Sequence, residues 1–497
     1  MPMPMLSRRE LLAAAGLATA GLAVSCTTTP AATRSSETAW ADLTRQLSGS
    51  VVRPGDPDFG ELATPRNLRF AATMPEAVVL CADPDDVAAT VSWARKTNTP
   101  FAIRGGGHNY ADGSSSRGII ISTCRMNSTH IDGTTLRVGA GVRNADLGNL
   151  LPQGGNGRLL LPGGNCPRVG VAGLTLGGGI GPNAPWAGLT ADRLRRATMV
   201  TTGGSIVTAS ATENPDLFWG LRGGAGGNFG VVTDLEYELV EVPVTRATTG
   251  MFVFRGDEAV LASGLAFQRV RSAAERIATG TWSGRPDFSK LRVQVLAGEA
   301  DARDLLAPLL AIPGVQAEIT ERPWWDSYRW YVVDPSAAYS FWDRSLYADE
   351  YLSADALGAA LEVVRRLPAN GDPERTGAVG LFGWVGGAVS DIAPAATAYV
   401  HRPARMLIEM SCGWRTPPDP STPVTPVPAD MRDWMEELWE VLLPHTTGRS
   451  YQNFPDPGLS DWASAYYGDN LVRLEGVKAT WDPEGVFTHS QGIPPPR

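Results

Sequence analysis

Arg104-Gly105-Gly106-Gly107-His108-Asn109-Tyr110 and Gly163-Gly164-Asn165-Cys166-Pro167-Arg168-Val169-Gly170 are the two stretches that decide how this chain folds. The first is a Gly-rich loop ending in an imidazole. The second is a Gly loop that carries a thiol and runs into Gly177-Gly178-Gly179. Glycine lets the backbone approach a ligand closely and adopt positive φ, so successive N–H groups can wrap a phosphate. A His and a Cys at the tips of two such loops suit covalent attachment to one bound group.

The surroundings of the first loop read as alternating strand and helix. Residues 78–81 form a short apolar strand leading to Asp83, an N-cap, with Pro84 in the first helical position. Val87, Val91 and Ala94 share one helical face, Asn98-Thr99-Pro100 ends the helix, and Phe101-Ala102-Ile103 is a buried strand that delivers the loop. Residues 118–122 read as another strand, and residues 130–134 as a hairpin turn before Leu136-Arg137-Val138. No Gly-x-Gly-x-x-Gly sits between a strand and a helix, and no Gly-x-x-x-x-Gly-Lys-Ser/Thr occurs, so the dinucleotide fold and the P-loop are excluded.

A third Gly cluster, from Arg222 through Gly223, Gly224, Gly226, Gly227 and Asn228 to Thr233, closes this region near Val242. Beyond it, strand-like runs at 250–254, 291–296, 316–319, 378–385 and 406–411 alternate with helical patterns at 261–276 and 354–367. That texture predicts a separate antiparallel sheet backed by helices. Residues 422–428, rich in Pro and Thr, read as an exposed linker, and no internal repeat occurs.

Composition narrows the function. The 497 residues have room for two or three domains, with 43% hydrophobic residues and 15 Trp. A net charge of −9 without a basic stripe argues against nucleic acid as a partner. Cys26, Cys81, Cys124, Cys166 and Cys412 are scattered, as are the five His, so neither a disulfide framework nor a metal site is indicated. Cys81, Cys124 and Cys412 fall in apolar strands and read as core. The N-terminus reads as an address. Ser7-Arg8-Arg9-Glu10-Leu11-Leu12 is a twin-arginine pattern, and the apolar run 11–24 is shorter than the roughly 20 residues that span a bilayer. Leu22-Ala23-Val24-Ser25-Cys26 is a loose lipobox, which makes Cys26 a candidate lipid anchor, with cleavage past Thr29-Pro30-Ala31 the alternative. The expectation is export by the twin-arginine route, to a secreted or lipid-anchored form.

The two Gly motifs, with Asp112-Gly113-Ser114-Ser115 after the first and Tyr451-Gln452-Asn453-Phe454 near the C-terminus, resemble the berberine-bridge-enzyme-like flavin oxidases of the vanillyl-alcohol-oxidase/PCMH-type superfamily. The resemblance covers about 45–497, in the substrate region only in general layout. It implies an α+β fold in four parts: a signal and tether over 1–38, an FAD-binding domain of the PCMH type over 39–242, a substrate domain over 243–445, and a segment over 446–497 that returns to the FAD domain.

The resemblance also assigns roles. FAD is bonded through His108 to its 8α-methyl group and through Cys166, beside Arg168, to C6. Arg104, Gly105, Gly106, Gly107, Asn109, Ser114, Gly164, Val169, Gly170, Gly173, Gly177, Gly178, Asn228, Gly230, Val232 and Asn453 make up the cofactor site, and Asp192 holds a familiar flavin-domain position. An alcohol gives up hydride only as its O–H proton leaves. Tyr451 is the base the family pattern implies, with Tyr110 lining the same cavity. Trp186, at the substrate entrance where relatives show Arg-Lys-Tyr, and Phe382, Trp384 and Tyr399 are the substrate-wall candidates. The activity implied is an FAD-dependent oxidase that passes hydride from an alcohol to flavin N5 and reduces O2 to hydrogen peroxide, on a sugar or oligosaccharide. The alternatives are oxidation of a glycosylated or polyketide metabolite, a dehydrogenase using another acceptor, and a flavin-holding protein that binds without turnover.

Overall fold

The computed structural model describes residues 36–154, 157–332, 339–415 and 424–494. The twin-arginine stretch, the apolar run, Cys26, Thr422 and Pro423 lie outside the described residues. Ser36 already caps the first helix, Glu37–Gln46, by accepting from the Ala39 N–H. Thr425 is buried, donates its N–H to the Arg69 carbonyl and accepts at its own carbonyl from the Arg69 guanidinium, so the end of the expected linker is pinned to the body.

The first sheet has four strands in the order Ser50–Val52, Ala77–Leu80, Ile119–Ser122, Phe101–Arg104. The last three run parallel, and the edge strand Ser50–Val52 is antiparallel to its neighbour. The helix Pro84–Thr97 crosses over it, capped by the Asp83 carboxylate and closed by Asn98 in the left-handed region at φ 53°. Its face of Val87, Val91 and Ala94 packs in one core with Ile119 and Ile121, and Trp93 meets Trp40 at 4.6 Å.

The second sheet is antiparallel, in the order Thr129–Asp132, Thr135–Gly139, Val231–Glu238, Leu194–Val200, Ile206–Ser210. The hairpin turns at Gly133, at φ 57°, so His130 and Ile131 belong to the strand. The C-terminal helices Trp462–Tyr467 and Leu471–Trp481 bring Tyr466, Tyr467, Leu474 and Val477 into the core that Leu136, Val138, Ala197 and Leu235 form beneath this sheet. Buried Lys478 fixes that return: its ammonium donates to the Asn228 and Phe487 carbonyls and pairs with Asp482.

The third sheet is antiparallel with seven strands, in the order Gln316–Pro323, Arg246–Arg255, Phe288–Val295, Ala278–Gly284, Thr376–Phe382, Met406–Trp414, Ser340–Ala348. The helices Asp257–Ala273, Ala354–Arg365 and Ala429–Leu442 cover one face. Two of these strands lie outside the sequence-predicted runs. Ala278–Gly284 reads Ala-Thr-Gly-Thr-Trp-Ser-Gly, a turn-like composition. Ser340–Ala348 is buried throughout yet carries Asp343, Arg344 and Ser345, which break the apolar signal. Cys81 and Cys412 are core, as expected, whereas Cys124 sits half-buried in the turn after Ile119–Ser122. Among the described residues no helix is long and apolar enough to cross a membrane.

Candidate active site

The first Gly loop leaves the strand Phe101–Arg104, and Arg104 fastens it from behind. Its guanidinium donates to the Ser114 carbonyl at 2.7 and 3.0 Å and to the Leu62 and Ala63 carbonyls at 2.6 and 2.9 Å. Burial pulls its pKa down to about 10. Arg104 therefore anchors the loop and does not line the site. The second Gly loop lies against the first, backbone on backbone. A Cβ on Gly106 would stand 2.4 Å from the Gly170 nitrogen, and one on Gly170 would stand 2.7 Å from the Gly106 nitrogen. Only glycine permits that approach. Asn144 holds the second loop by donating to the Cys166 carbonyl at 3.0 Å.

Together the loops open onto one cavity of about 600 Å³, in the range of cofactor and ligand pockets. His108 and Cys166 both line it, as do Gly105, Gly106, Gly107, Asn109, Tyr110, Ser114, Gly164, Val169, Gly170 and Gly173. The third Gly cluster adds Gly226, Gly227, Gly230 and Val232, and the C-terminal segment adds Tyr451, Asn453 and His489. The Cys166 sulfur lies 3.7 Å from the Asn165 amide oxygen. Arg168, two residues on, is exposed and outside the lining.

Several residues expected in the site serve it from outside. Gly177 makes room for the Asn453 carboxamide, 2.1 Å from where a Cβ would stand, and Gly178, at φ 109°, for the Tyr399 ring. Asn228 is a latch: its amide donates to the Gly224 carbonyl and accepts from the Ile493 N–H. Trp186 packs edge-on against Trp324 at 5.9 Å, in an apolar cluster apart from the cavity. Tyr399 is fully buried behind the lining, its hydroxyl 2.8 Å from that of Tyr347. Asp192 makes a buried two-point ion pair with Arg402, at 2.7 and 2.9 Å.

Tyr451 has an unusual set of partners. Its phenolic oxygen accepts from the Gly179 N–H at 3.2 Å, the Ile180 N–H at 3.3 Å and the Asn453 amide at 3.0 Å. Burial raises its pKa, while those three donors pull it back. Three N–H groups converging on one oxygen favour its charged form. Behind it lie Tyr347 and Tyr399, with His401 stacked on Tyr347 at 4.2 Å. Tyr110 stacks on Phe454 at 4.6 Å and meets Phe341 edge-on at 5.1 Å. Burial, then the charges of Glu409 and Asp343, push its phenol well above the ordinary range.

The seven-stranded sheet supplies the remaining wall: Thr281, Arg285, Phe382, Trp384 and Glu409, with Phe382 and Trp384 edge to face at 4.6 Å. Sequence reasoning missed Thr281, Arg285, Glu409 and His489. A lone carboxylate in Leu407-Ile408-Glu409-Met410 was a usable signal for one of them, because burying an unpaired carboxylate in an apolar strand is costly. The cavity fits FAD on its own chemistry. It has touching Gly backbones on one side, and three buried polar atoms without a partner among the described residues, Ser114 Oγ, Ser115 Oγ and His489 Nε2, at or beside the lining.

Comparison with known proteins agrees with the geometry. Residues 75–210 match an FAD binding domain, and residues 450–494 match the berberine and berberine-like domain. The chain is 30% identical over 471 residues to an FAD-linked oxidoreductase of Bacillus subtilis, YgaK, covering 91% of this chain and 98% of the relative. It is 31% identical over 467 residues to a chitooligosaccharide oxidase of Gibberella zeae, covering 89% and 91%. A solved chitooligosaccharide oxidase superposes with a TM-score of 0.79 at 27% identity, over 92% of this chain and all of that one. The fold also matches an Acremonium strictum glucooligosaccharide oxidase described with 6-S-cysteinyl, 8α-N1-histidyl FAD, at a TM-score of 0.78 and 24% identity, over 90% and 97%. The chain belongs to the berberine-bridge-like family of FAD-linked oxidoreductases, with an α+β fold of the PCMH type.

Proposed function

We propose that this enzyme is a sugar or oligosaccharide oxidase whose FAD is held by two covalent bonds, through His108 and Cys166. The observation that carries the reading is the arrangement around Tyr451. A phenolic oxygen cradled by three N–H donors faces the same cavity as His108 and Cys166. FAD bound there supplies the two-electron acceptor for an alcohol's hydride and passes the electrons on to O2 as hydrogen peroxide.

The chain's own residues do the rest. Tyr451 accepts the hydroxyl proton of the substrate at its phenolic oxygen, and Gly179, Ile180 and Asn453 stabilise the charge that the oxygen bears before the transfer. The neutral phenol of Tyr110 donates a hydrogen bond into the cavity, and Phe382 and Trp384 offer apolar faces to a sugar ring. Val169 leaves room beside the second Gly loop for a small reactant such as O2. The relatives named as oligosaccharide oxidases support the substrate class, and the glucooligosaccharide oxidase supports the double attachment. Export by the twin-arginine route, with the chain secreted or anchored at Cys26, completes the proposal. Fractionation of an Arg8→Lys, Arg9→Lys variant tests it, since retention of that variant in the cytoplasm is the result expected.

The deciding experiment is anaerobic bleaching of the flavin band with a panel of mono- and oligosaccharides, followed by admission of air. Bleaching by sugars with fast recovery in air establishes the oxidase. Bleaching only by glycosylated metabolites moves the substrate class, slow recovery marks a dehydrogenase, and no bleaching at all refutes turnover.

A further inference from the structure

Residues 482–493 form an arch along the cavity, fixed at both feet. At one foot Phe487 is buried edge-on against Phe101 at 5.7 Å, and the Asp482 carboxylate accepts from the Val486 and Phe487 N–H groups at 2.7 and 2.9 Å. At the other foot buried Gln491 accepts from the Tyr466 hydroxyl at 2.9 Å and donates to the Asp456 carbonyl at 2.7 Å, and the Ile493 N–H donates to Asn228. Between the feet, Ser490 Oγ donates to the Asp112 carboxylate at 2.7 Å, an exposed contact between the arch and the first Gly loop.

His489 stands at the crown of the arch and lines the cavity, and its Nε2 is buried without a partner among the described residues. Its ring faces the third Gly cluster, 3.9 Å from where a Cβ on Gly227 would stand. Ala225, at φ 65°, and Gly227, at φ 76°, lie there in the left-handed region on either side of Gly226, which does not. Backbone that alternates hand in this way turns successive N–H groups to one side and makes a concavity for an anion. Two residues past Asp112, Ser114 lines the same cavity, and its Oγ is also buried without a partner among the described residues. A hydroxyl and a ring nitrogen left unsatisfied beside such a backbone mark a place for a group that accepts hydrogen bonds and carries negative charge.

We propose that His489 and Ser114 grip the diphosphate of FAD, from the C-terminal arch and from the first Gly loop, over the Ala225-Gly226-Gly227 backbone, so that cofactor binding closes the arch. The inference rests on FAD occupying this cavity and is independent of the substrate oxidised. The Asp112 carboxylate, the nearest opposing charge on the loop, is engaged by the Ser490 hydroxyl. Burial lowers the His489 pKa, Asp112 pulls it back up and Lys478 lowers it again. An anion beside Nε2 favours the charged ring and so strengthens the bond it receives.

The test separates the diphosphate from the flavin. In a His108→Ala, Cys166→Ala background, which holds the cofactor without covalent bonds, FAD and riboflavin are titrated by flavin fluorescence. Riboflavin has the same ring and no phosphate. His489→Ala is expected to raise the Kd of FAD about 10- to 100-fold, as for a lost hydrogen bond to a charged group, and to leave that of riboflavin within about threefold. His489→Gln, which keeps an N–H donor, should recover most of the FAD affinity. In the holoenzyme, hydrogen exchange over residues 488–490 should quicken about tenfold in His489→Ala, while residues 101–104 stay protected. An unchanged ratio of FAD to riboflavin affinity in His489→Ala overturns the proposal. Equal weakening of both ligands in the Ala and Gln variants also overturns it, by making His489 a packing residue of the arch. FAD binding no tighter than riboflavin before His489 is changed removes the diphosphate site while leaving a flavoprotein. If the protein as isolated holds no flavin and binds neither ligand, the FAD reading falls as well.

Discussion

Replacing Tyr451 by Phe removes one oxygen and keeps the ring, so its consequences follow from that oxygen's partners. The Gly179 and Ile180 N–H groups lose their shared acceptor, while the Asn453 amide keeps its second bond, 2.9 Å to the Leu174 carbonyl. A buried donor left unsatisfied costs about 1–3 kcal/mol, so two such donors predict a loss of about 2–6 kcal/mol in equilibrium unfolding. The catalytic effect is separate. A positioned base contributes about 10²- to 10⁴-fold, so the limiting rate of anaerobic flavin reduction falls by that factor, equivalent to about 2.7–5.4 kcal/mol of barrier.

The pH profile carries a second signature. Burial raises the Tyr451 pKa while the three N–H bonds lower it, and only the deprotonated phenol accepts a proton. Burial outweighs those bonds, so the wild-type limiting rate rises with pH only in the alkaline range, and the Phe variant lacks that limb. Flavin content, measured after denaturation, should be unchanged, because Tyr451 is not an attachment residue. A reduction rate within about threefold of wild type, in protein that retains its flavin and its fold, would refute the assignment and leave the proton acceptor elsewhere on the cavity wall.

Other expectations bear on different parts of the molecule. His108→Ala and Cys166→Ala should each leave flavin bound to denatured protein through the remaining bond, and the double variant should release it; attachment surviving in the double variant sinks the two-bond reading. Asp192→Ala leaves the Arg402 guanidinium buried without its carboxylate and should cost about 3–5 kcal/mol in denaturant unfolding. A loss below about 1 kcal/mol would mean that solvent reaches the pair. His401, depressed to about 3 by burial and then by Arg449, stays neutral in the fold while its unfolded counterpart protonates near 6.5. Between those limits the unfolded chain binds the extra proton, so stability drops as pH falls, by up to about 1.4 kcal/mol per pH unit. His401→Asn should flatten that slope in urea titrations between pH 4 and 7, and an unaltered slope would exclude His401 as its source.

Sequence reading reached the parts of this protein that rest on local chemistry. The Asp83 cap, the Pro84 start and the Asn98 stop were legible because capping and left-handed termination depend on a few adjacent residues. The Gly loops were legible because close backbone approach admits no other residue, as the contact between Gly106 and Gly170 shows. Those loops, with His108, Cys166 and the Tyr451-Gln452-Asn453-Phe454 stretch, carried the resemblance that implied a flavin cradle. Only the tertiary structure decided which polar residues face the cavity. Gly178, Tyr399 and Asn228 carry the right chemistry, yet packing turns them to the back of the wall. Glu409 became visible only when three strands far apart in sequence set it between Ser345 and Gly380, with Asp343 on its diagonal. Strand pairing at long sequence separation is set by the burial of whole faces, and no window along the chain contains both partners.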